Sequence, residues 1–106
     1  MIFELREYDI QPGAMPEWIQ LMQEHIHPYQ TQLGIAFIAS FISIDNPNKY
    51  IWIRRFPSEK ERERLYQAVY ESEHWKSHIK PHIDKMLIRD TMKVTLMEAT
   101  AISPIH

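Results

Sequence analysis

The sequence predicts an α+β fold in which an antiparallel sheet carries helices on one face, with the element order βαββαβ. Two observations predict it. Apolar residues alternate with a period of two in some segments and follow helical spacing in others. Turn and capping signals separate these segments, so that each one can be assigned to a strand or to a helix.

The first strand and the first helix occupy the N-terminal third of the chain. Residues 2–10 alternate between two faces and end at the turn signal Gln11-Pro12-Gly13. A helix follows, with Pro16 in its first turn. Pro28 is expected to bend or end this helix, and Gly34 to stop it. The helical stripe consists of Trp18, Met22, His25, Ile26 and Tyr29.

A β-hairpin is predicted in the middle of the chain. Residues 35–44 form a near-continuous apolar strand, and residues 49–56 form the strand that pairs with it. The segment Asp45-Asn46-Pro47-Asn48 between them is a turn. We therefore expect these two strands to be antiparallel neighbours.

The second helix is expected in pieces, followed by the last strand. Ser58 fits the start of a capping box, and the charged run EKERER (59–64) is predicted to be a solvated helix face. Ser72 is expected to cap a further short turn, and a buried stripe follows Pro81. The segment TMKVTLMEA (91–99) predicts the last strand.

The predicted second strand is apolar on both faces, whereas a sheet with one solvated face should alternate. Two helices can cover only one face, so the other face needs a separate cover. We therefore predict a symmetric homodimer with the two sheets face to face. The alternative is a monomer that leaves this apolar strand exposed, but an exposed apolar strand favours aggregation. The apolar residues are Phe37, Ala39 and Phe41 on one face and Ile38, Ile42 and Ile44 on the other.

Composition and charge exclude several classes of protein. The 106 residues, 44% hydrophobic and 25% charged, predict one globular domain spanning residues 1–106. A formal net charge of −2 is not typical of a nucleic-acid-binding protein. No apolar run approaches the about 20 residues of a membrane span, and no secretory leader is recognisable. Without cysteine there are no disulfides or thiolate ligands. We therefore expect a cytoplasmic protein.

The chain resembles the NIPSNAP family, within the dimeric α+β barrel superfamily. The resemblance rests on ELREYDIQPG (4–13), on WIRRF followed by PSEKERERLYQAVYESEHW (52–75) and on TAISPI (100–105). It covers nearly the whole chain and implies a ferredoxin-like fold and a face-to-face dimer. The superfamily includes cofactor-independent monooxygenases acting on aromatic substrates, haem-degrading monooxygenases, small isomerases and members with no known activity.

The resemblance also implies a ligand pocket between the sheet and the helices of each subunit. Glu4, Arg6 and Tyr8 share one face of the first strand, which would place a fixed cation and a phenol beneath such a pocket. Alternatively, Arg6 and Glu4 only pair across strands at a surface, because strand parity does not tell which face is inside. The candidate ligand-binding residues are Tyr8, His25, Trp52, Arg54 and Trp75, with Tyr29 and His78 nearby.

Three histidines stand four residues apart in the segment ESEHWKSHIKPHIDKM. His74 and His78 could bind a metal ion from one face of an unbroken helix. However, Trp75 occupies the position where the HExxH motif has its glutamate, and Pro81 interrupts the register before His82. We therefore predict no metal site.

A haem site is not predicted either. His78, with Trp75 three residues before it, resembles the neighbourhood of the axial histidine in haem-degrading relatives. Those relatives also use an asparagine on the first strand, and the strand FELREYDI contains none. No cofactor is therefore expected.

His78 is the predicted catalytic base, with His25 as the alternative. A histidine near its ordinary pKa of about 6.5 can take a proton from a phenol or an acidic C–H. Arg6 would stabilise the resulting anion, and Trp52 and Trp75 would stack on the ring. In cofactor-independent oxygenation the anion would then pass an electron to dioxygen. The alternative is that His78 makes only local hydrogen bonds.

Two classes of function follow from these residues. The first is a homodimeric small-molecule-binding enzyme, a cofactor-independent monooxygenase or isomerase acting on an aromatic or apolar substrate. The second is a non-catalytic dimeric binding or interaction module whose pocket is filled by side chains. The tryptophans discriminate between them, because Trp52 and Trp75 stacked on each other would plug the pocket.

Overall fold

The computed structural model describes all residues from Met1 to His106. It has the predicted order of strands and helices, and the fold is α+β with one antiparallel sheet. The elements are β1 (Ile2–Ile10), α1 (Met15–Leu21), α2 (His27–Gln32), β2 (Ala36–Ile42), β3 (Lys49–Phe56), α3 (Glu59–Tyr70), α4 (Lys80–Met86) and β4 (Leu87–Met97). None of the helices is both long enough and apolar enough to cross a membrane.

The strands lie in the order β2-β3-β1-β4, and every neighbouring pair is antiparallel. The register pairs Arg6 with Trp52 and Tyr8 with Tyr50, so these side chains share the face that the helices cover. On that inner face the side chains of β1 and β3 are buried, whereas the intervening residues of β3 are partly exposed. The edge strands are less covered, because Ile42 on β2 and Val94 and Leu96 on β4 are exposed on the same face. The hydrophobic core therefore lies between the helices and the inner face.

Two π-helical segments, Met22–Ile26 and Trp75–Ile79, interrupt the helices. Each ends two residues before a proline, Pro28 or Pro81. A proline in a helix lacks an N–H and presses on the carbonyl of the preceding turn, and a wider π turn at that point accommodates both effects. The first helix therefore continues past Pro28, and the chain stays helical to Gln32.

The capping and stop signals behave as predicted. Ser58 Oγ accepts a hydrogen bond from the backbone N–H of Glu61 at 3.2 Å, and α3 begins there. Ser72 Oγ accepts a hydrogen bond from the backbone N–H of Trp75 at 3.2 Å and so caps the short helical turn that begins at Glu73. Gly34 has a φ of 106°, a backbone conformation that favours glycine, and it follows the end of α2.

The last strand begins four residues earlier than the predicted 91–99 segment. Leu87 is already extended, with φ of −88° and ψ of 129°. Glu7 pairs with Lys93 but Asp9 pairs with Ile88, so residues 89–92 of β4 bulge opposite a single residue of β1. This bulge breaks the period of two in the sequence, which is why the alternation becomes visible only beyond it.

Candidate functional site

A cavity of about 500 Å³ lies between the inner face of the sheet and the helices. Aromatic and aliphatic side chains form most of its wall, and the remainder is basic. None of its lining residues is acidic, and none is a histidine. The aromatic residues are Tyr8, Trp18, Trp52, Tyr70 and Trp75, and the basic ones are Arg6, Lys76, Lys80 and Arg89. The cavity has the size and lining of a small-molecule site.

The β4 bulge forms one side of this cavity. Tyr8 is the residue of β1 that lies opposite the bulge, and it is buried in the cavity wall. Arg89 and Met92, at the two ends of the bulged stretch, also line the cavity. The irregular pairing of β4 therefore lies at the edge of the cavity, and bulges are common near functional sites.

Four of the predicted site residues line one cavity: Arg6, Tyr8, Trp52 and Trp75. The two tryptophan rings do not stack on each other. Trp52 lies edge-on to Tyr8 with the ring centroids 6.0 Å apart, and Trp75 lies edge-on to Tyr70 at 4.9 Å. The aromatic rings therefore wall the cavity and leave it open. Their roles in ligand binding stay predictions.

The guanidinium of Arg6 is held by partners on three elements. Its Nε donates to Glu4 Oε1 at 2.8 Å, and its Nη1 donates to Tyr8 Oη at 3.2 Å. Its Nη2 donates to Tyr66 Oη on α3. The remaining contact, from Nη1 to Met92 Sδ at 3.7 Å, is to a weak thioether acceptor. Arg6 is therefore oriented in advance, and a ligand oxygen could replace the sulfur.

Glu4 organises the floor beneath Arg6 and is completely buried. Its Oε1 accepts from Arg54 Nη2 at 2.5 Å as well as from Arg6, and its Oε2 accepts from Arg62 Nε at 2.9 Å. Tyr66 Oη also donates to Oε2. The alternative of an Arg6–Glu4 pair across strands at a surface is therefore wrong, because the two residues lie on one strand in the interior.

Arg54 does not line the cavity, and the structure corrects that part of the predicted ligand-binding set. Its side chain is fully buried behind the wall. It donates to Gln30 Oε1 at 2.8 Å and to Tyr70 Oη at 3.0 Å, in addition to Glu4. Its guanidinium carbon lies 4.6 Å from the ring centroid of Trp52. Arg54 thus supports the cavity from behind.

His78 and His25 lie outside the cavity, so the predicted pocket around both histidines is also corrected. They line a separate, shallow and mainly polar groove on the helices, together with His82. The cause is the π turn: it holds more residues per turn than an α-helix, so Trp75 and Ile79 face inward while His78 turns away. No group of His, Asp or Glu side chains in the structure is arranged to hold a metal ion.

Sequence reasoning missed Arg62 and Tyr66. The run EKERER was assigned to a solvated face, but Arg62 Nη2 lies within 2.9 Å of Glu4 Oε2, and the Arg62 side chain is 16% exposed. Arg62, Tyr66 and Tyr70 stand four residues apart on α3, which places them on one face of the helix. That spacing was the available signal.

Buried charge around Glu4 is not balanced. Three guanidinium groups surround this carboxylate, and the only further acid in the network is Glu59, which pairs with Arg62 at 3.1 Å. One positive charge is therefore in excess. The phenols do not offset it: burial raises the pKa of Tyr8 and the pKa of Tyr66, although the nearby arginines oppose that shift.

We expect the stability of the protein to depend on Glu4 in acid. Burial alone would raise its pKa, but the positive charges of Arg54 and Arg6 outweigh burial and lower the pKa from 4.5 to about 2. The contribution is therefore fully present above pH 4.5 and is lost as the pH falls through about 2. The expected loss in the free energy of unfolding is on the order of 3 kcal/mol.

Urea unfolding at stepped pH measures this loss. The variant Glu59→Gln, which removes an exposed partner of Arg62, should keep the acid dependence of the wild type. The variant Glu4→Gln should show a flatter profile over the same range. Identical slopes in the two variants would contradict the assignment of this acid sensitivity to Glu4.

Comparisons with known proteins give a consistent picture. The family model described as NIPSNAP matches residues 3–104. A NIPSNAP family protein from Agrobacterium tumefaciens has a similar structure, with a TM-score of 0.87 and 23% identity over 99% of this chain and 98% of that one. An uncharacterized NIPSNAP domain protein from Burkholderia xenovorans has a TM-score of 0.86 and 18% identity, over 98% and 99% of the two chains.

A more distant structural likeness is to a protein described as an antibiotic biosynthesis monooxygenase. Its TM-score is 0.67 at 20% identity, over 94% of this chain and 99% of that chain. At this level of identity the likeness shows the fold alone. No curated protein matches this chain.

Proposed function

This chain belongs to the NIPSNAP family, and from that membership and its cavity we propose that it is a homodimeric protein that binds an apolar or aromatic small molecule between sheet and helices. The observation that carries the proposal is the cavity of about 500 Å³, walled by five aromatic side chains and fitted with the oriented guanidinium of Arg6. Apolar walls with a few convergent polar groups are typical of such sites. Arg6, Tyr8, Trp52 and Trp75 are the proposed ligand contacts.

The first candidate for the role of this site is cofactor-independent oxygenation. A substrate anion gives one electron to dioxygen, the two radicals combine to form a C–O bond, and loss of water converts a CH2 group into a carbonyl. The substrate supplies the electrons, so no separate reductant is needed. The preorganised Arg6 would stabilise the anion. The structural likeness to an antibiotic biosynthesis monooxygenase supports this reaction class.

The absence of an acid or histidine among the lining residues favours the second candidate, a non-catalytic binding module. General base catalysis needs a proton acceptor within hydrogen-bond reach of the substrate. Without such an acceptor in the cavity wall, only a substrate that arrives already ionised could be oxygenated. Oxygen uptake with anthrone, measured up to a pH at which its acidic CH2 ionises in solution, distinguishes the two candidates. Uptake above the rate in protein-free buffer at the same pH supports the enzyme, and binding without such uptake supports the module.

The outer face of the sheet supports the proposed homodimer. Leu5, Ile53 and Ala39 form one row across three strands, and Ile51 and Phe41 form the next. All five are partly or fully exposed, and Phe41 is 56% exposed. An uncovered apolar surface at the centre of a sheet is typical of a protein interface. A second copy would cover it with an identical surface.

Intrinsic fluorescence can test ligand binding directly, because all three tryptophans of the chain line the cavity. We expect 3-phenylpropanol, a neutral probe that does not absorb at the 295 nm excitation wavelength, to change the emission in a saturable manner. The variant Ile83→Phe, which places a larger side chain in the cavity wall, should weaken this response. The control variant Lys60→Gln changes an exposed residue of α3 outside the cavity and should leave the response unchanged. An unchanged emission at millimolar probe, with neutral and anionic probes alike, would argue against the cavity as a binding site.

A further inference from the structure

Every ionisable lining residue apart from the tyrosines is basic. Lys76, Lys80 and Arg89 lie at the mouth of the cavity with side chains about half exposed, and Arg6 lies buried inside it. Glu71 and Asp84 pair with the mouth cations but do not line the cavity. Three cations share two carboxylates there, so one positive charge is in excess at the mouth.

A second excess charge lies at the inner end. The network around Glu4 contains three arginines and two carboxylates, and much of it is shielded from water. Charge that is removed from water is costly unless an opposite charge compensates it. Arg6 is the member of this network that reaches the cavity, so a compensating anion would bind there.

The unpaired buried polar groups lead to the same conclusion. Three buried side-chain groups have no hydrogen-bond partner, and all three are N–H donors. Two of them, Trp18 Nε1 and Trp52 Nε1, belong to residues of the cavity wall, and the third is Gln30 Nε2. No buried acceptor is left unpaired. The unpaired groups around the cavity are thus donors, the excess charge there is positive, and no acceptor is left unpaired.

We propose that the ligand is an amphipathic carboxylate, in which an apolar or aromatic body fills the aromatic cavity and the carboxylate binds Arg6. This inference rests on the proposed small-molecule function and specifies its ligand class. The carboxylate replaces the weak Met92 Sδ contact of Arg6 and compensates the excess charge of the arginine network. Lys76, Lys80 and Arg89 attract the anion to the mouth, an effect that salt weakens.

A pair of matched probes tests this inference in the wild-type protein. 3-Phenylpropionate and 3-phenylpropionamide have the same shape and differ in charge, and tryptophan emission reports the binding of either one. We expect the carboxylate to bind about 10- to 100-fold more tightly than the amide, as charged hydrogen bonds to a guanidinium imply. The advantage should shrink as salt is raised from 50 to 500 mM, roughly the range over which screening becomes strong.

Two variants separate the inner anchor from the mouth. Arg6→Gln should abolish the preference for the carboxylate over the amide while the amide still binds. Lys80→Gln, an exposed substitution that does not threaten folding, should weaken the carboxylate severalfold and leave the amide unchanged. Lys60→Gln, on a residue away from the cavity, is the matched control.

The possible results distinguish the carboxylate proposal from the proposed small-molecule binding on which it rests. Equal affinity for the two probes would overturn the carboxylate proposal and leave the binding function standing. No response to either probe would overturn both. A carboxylate preference that survives Arg6→Gln would overturn the assignment of Arg6 as the anchor.

Discussion

Glu4→Gln is expected to lower the free energy of unfolding by about 3–5 kcal/mol, the largest effect of any single substitution considered for this chain. The carboxylate of Glu4 is fully buried and accepts from Arg6, Arg54 and Arg62. Glutamine keeps the shape but removes the negative charge, so two of these guanidinium groups remain buried without compensation. The amide NH2 of the glutamine is itself a donor, and it would face the N–H donors of the arginines with no acceptor to bind.

Chemical denaturation at neutral pH measures this loss, with circular dichroism as the readout. Glu59→Gln is the matched control, since it removes the same charge from a partner of Arg62 that is about half exposed, and it should cost less than about 1 kcal/mol. A Glu4→Gln variant as stable as this control would mean that the arginine network does not depend on Glu4.

Ile53→Asp should convert the proposed dimer into a monomer. Ile53 lies at the centre of the outer face, paired with Leu5 on β1 and with Ala39 on β2. In a face-to-face dimer its substitution places two carboxylates, one from each copy, within an apolar interface, and a buried unpaired charge costs several kcal/mol. In the monomer the position is partly exposed, so the aspartate is tolerated there.

Light scattering coupled to size-exclusion chromatography gives the mass in solution at micromolar concentration. Ile44→Asp provides the control, because Ile44 is 98% exposed and lies beyond the end of β2. We expect the wild type and Ile44→Asp to run as dimers and Ile53→Asp as a folded monomer. A monomeric wild type would refute the proposed assembly, and a dimeric Ile53→Asp would place the interface elsewhere.

Strand parity explains why part of the site could be predicted. Side chains two residues apart on a strand share a face, so Arg6 and Tyr8 had to lie together, as did Trp52 and Arg54. The antiparallel register then joined the two sets, since Arg6 pairs with Trp52. Parity predicts which face a side chain lies on, but it does not predict which residues of that face line the cavity. Trp52 lies in the cavity wall, whereas Arg54, two residues further along the same strand, does not.

The prediction that His78 lies in the pocket was wrong because it assumed regular α-helical spacing. His78 follows Trp75 by three residues, which on an α-helix would keep the two on neighbouring faces. The segment is instead a π turn, and His78 lies in the outer groove. Pro81 was the available signal, because the proline disfavours a regular turn before it.

The sequence by itself determined the element order, the caps, the family and the residues that share each face of β1 and β3. These features follow from local periodicity and from backbone preferences, which depend on near neighbours in the chain. Only the tertiary structure decided that Arg62 and Tyr66 reach Glu4, that the β4 bulge borders the cavity, and that the histidines lie outside it. A bulge in β2 also turns Phe37 to the inner face, away from Ala39 and Phe41, so the predicted grouping of these three residues on one face is wrong. The first of these features is a contact between residues far apart in the sequence, and the others depend on local irregularities of a strand or a helix. A periodic sequence pattern specifies neither the long-range contacts nor these irregularities.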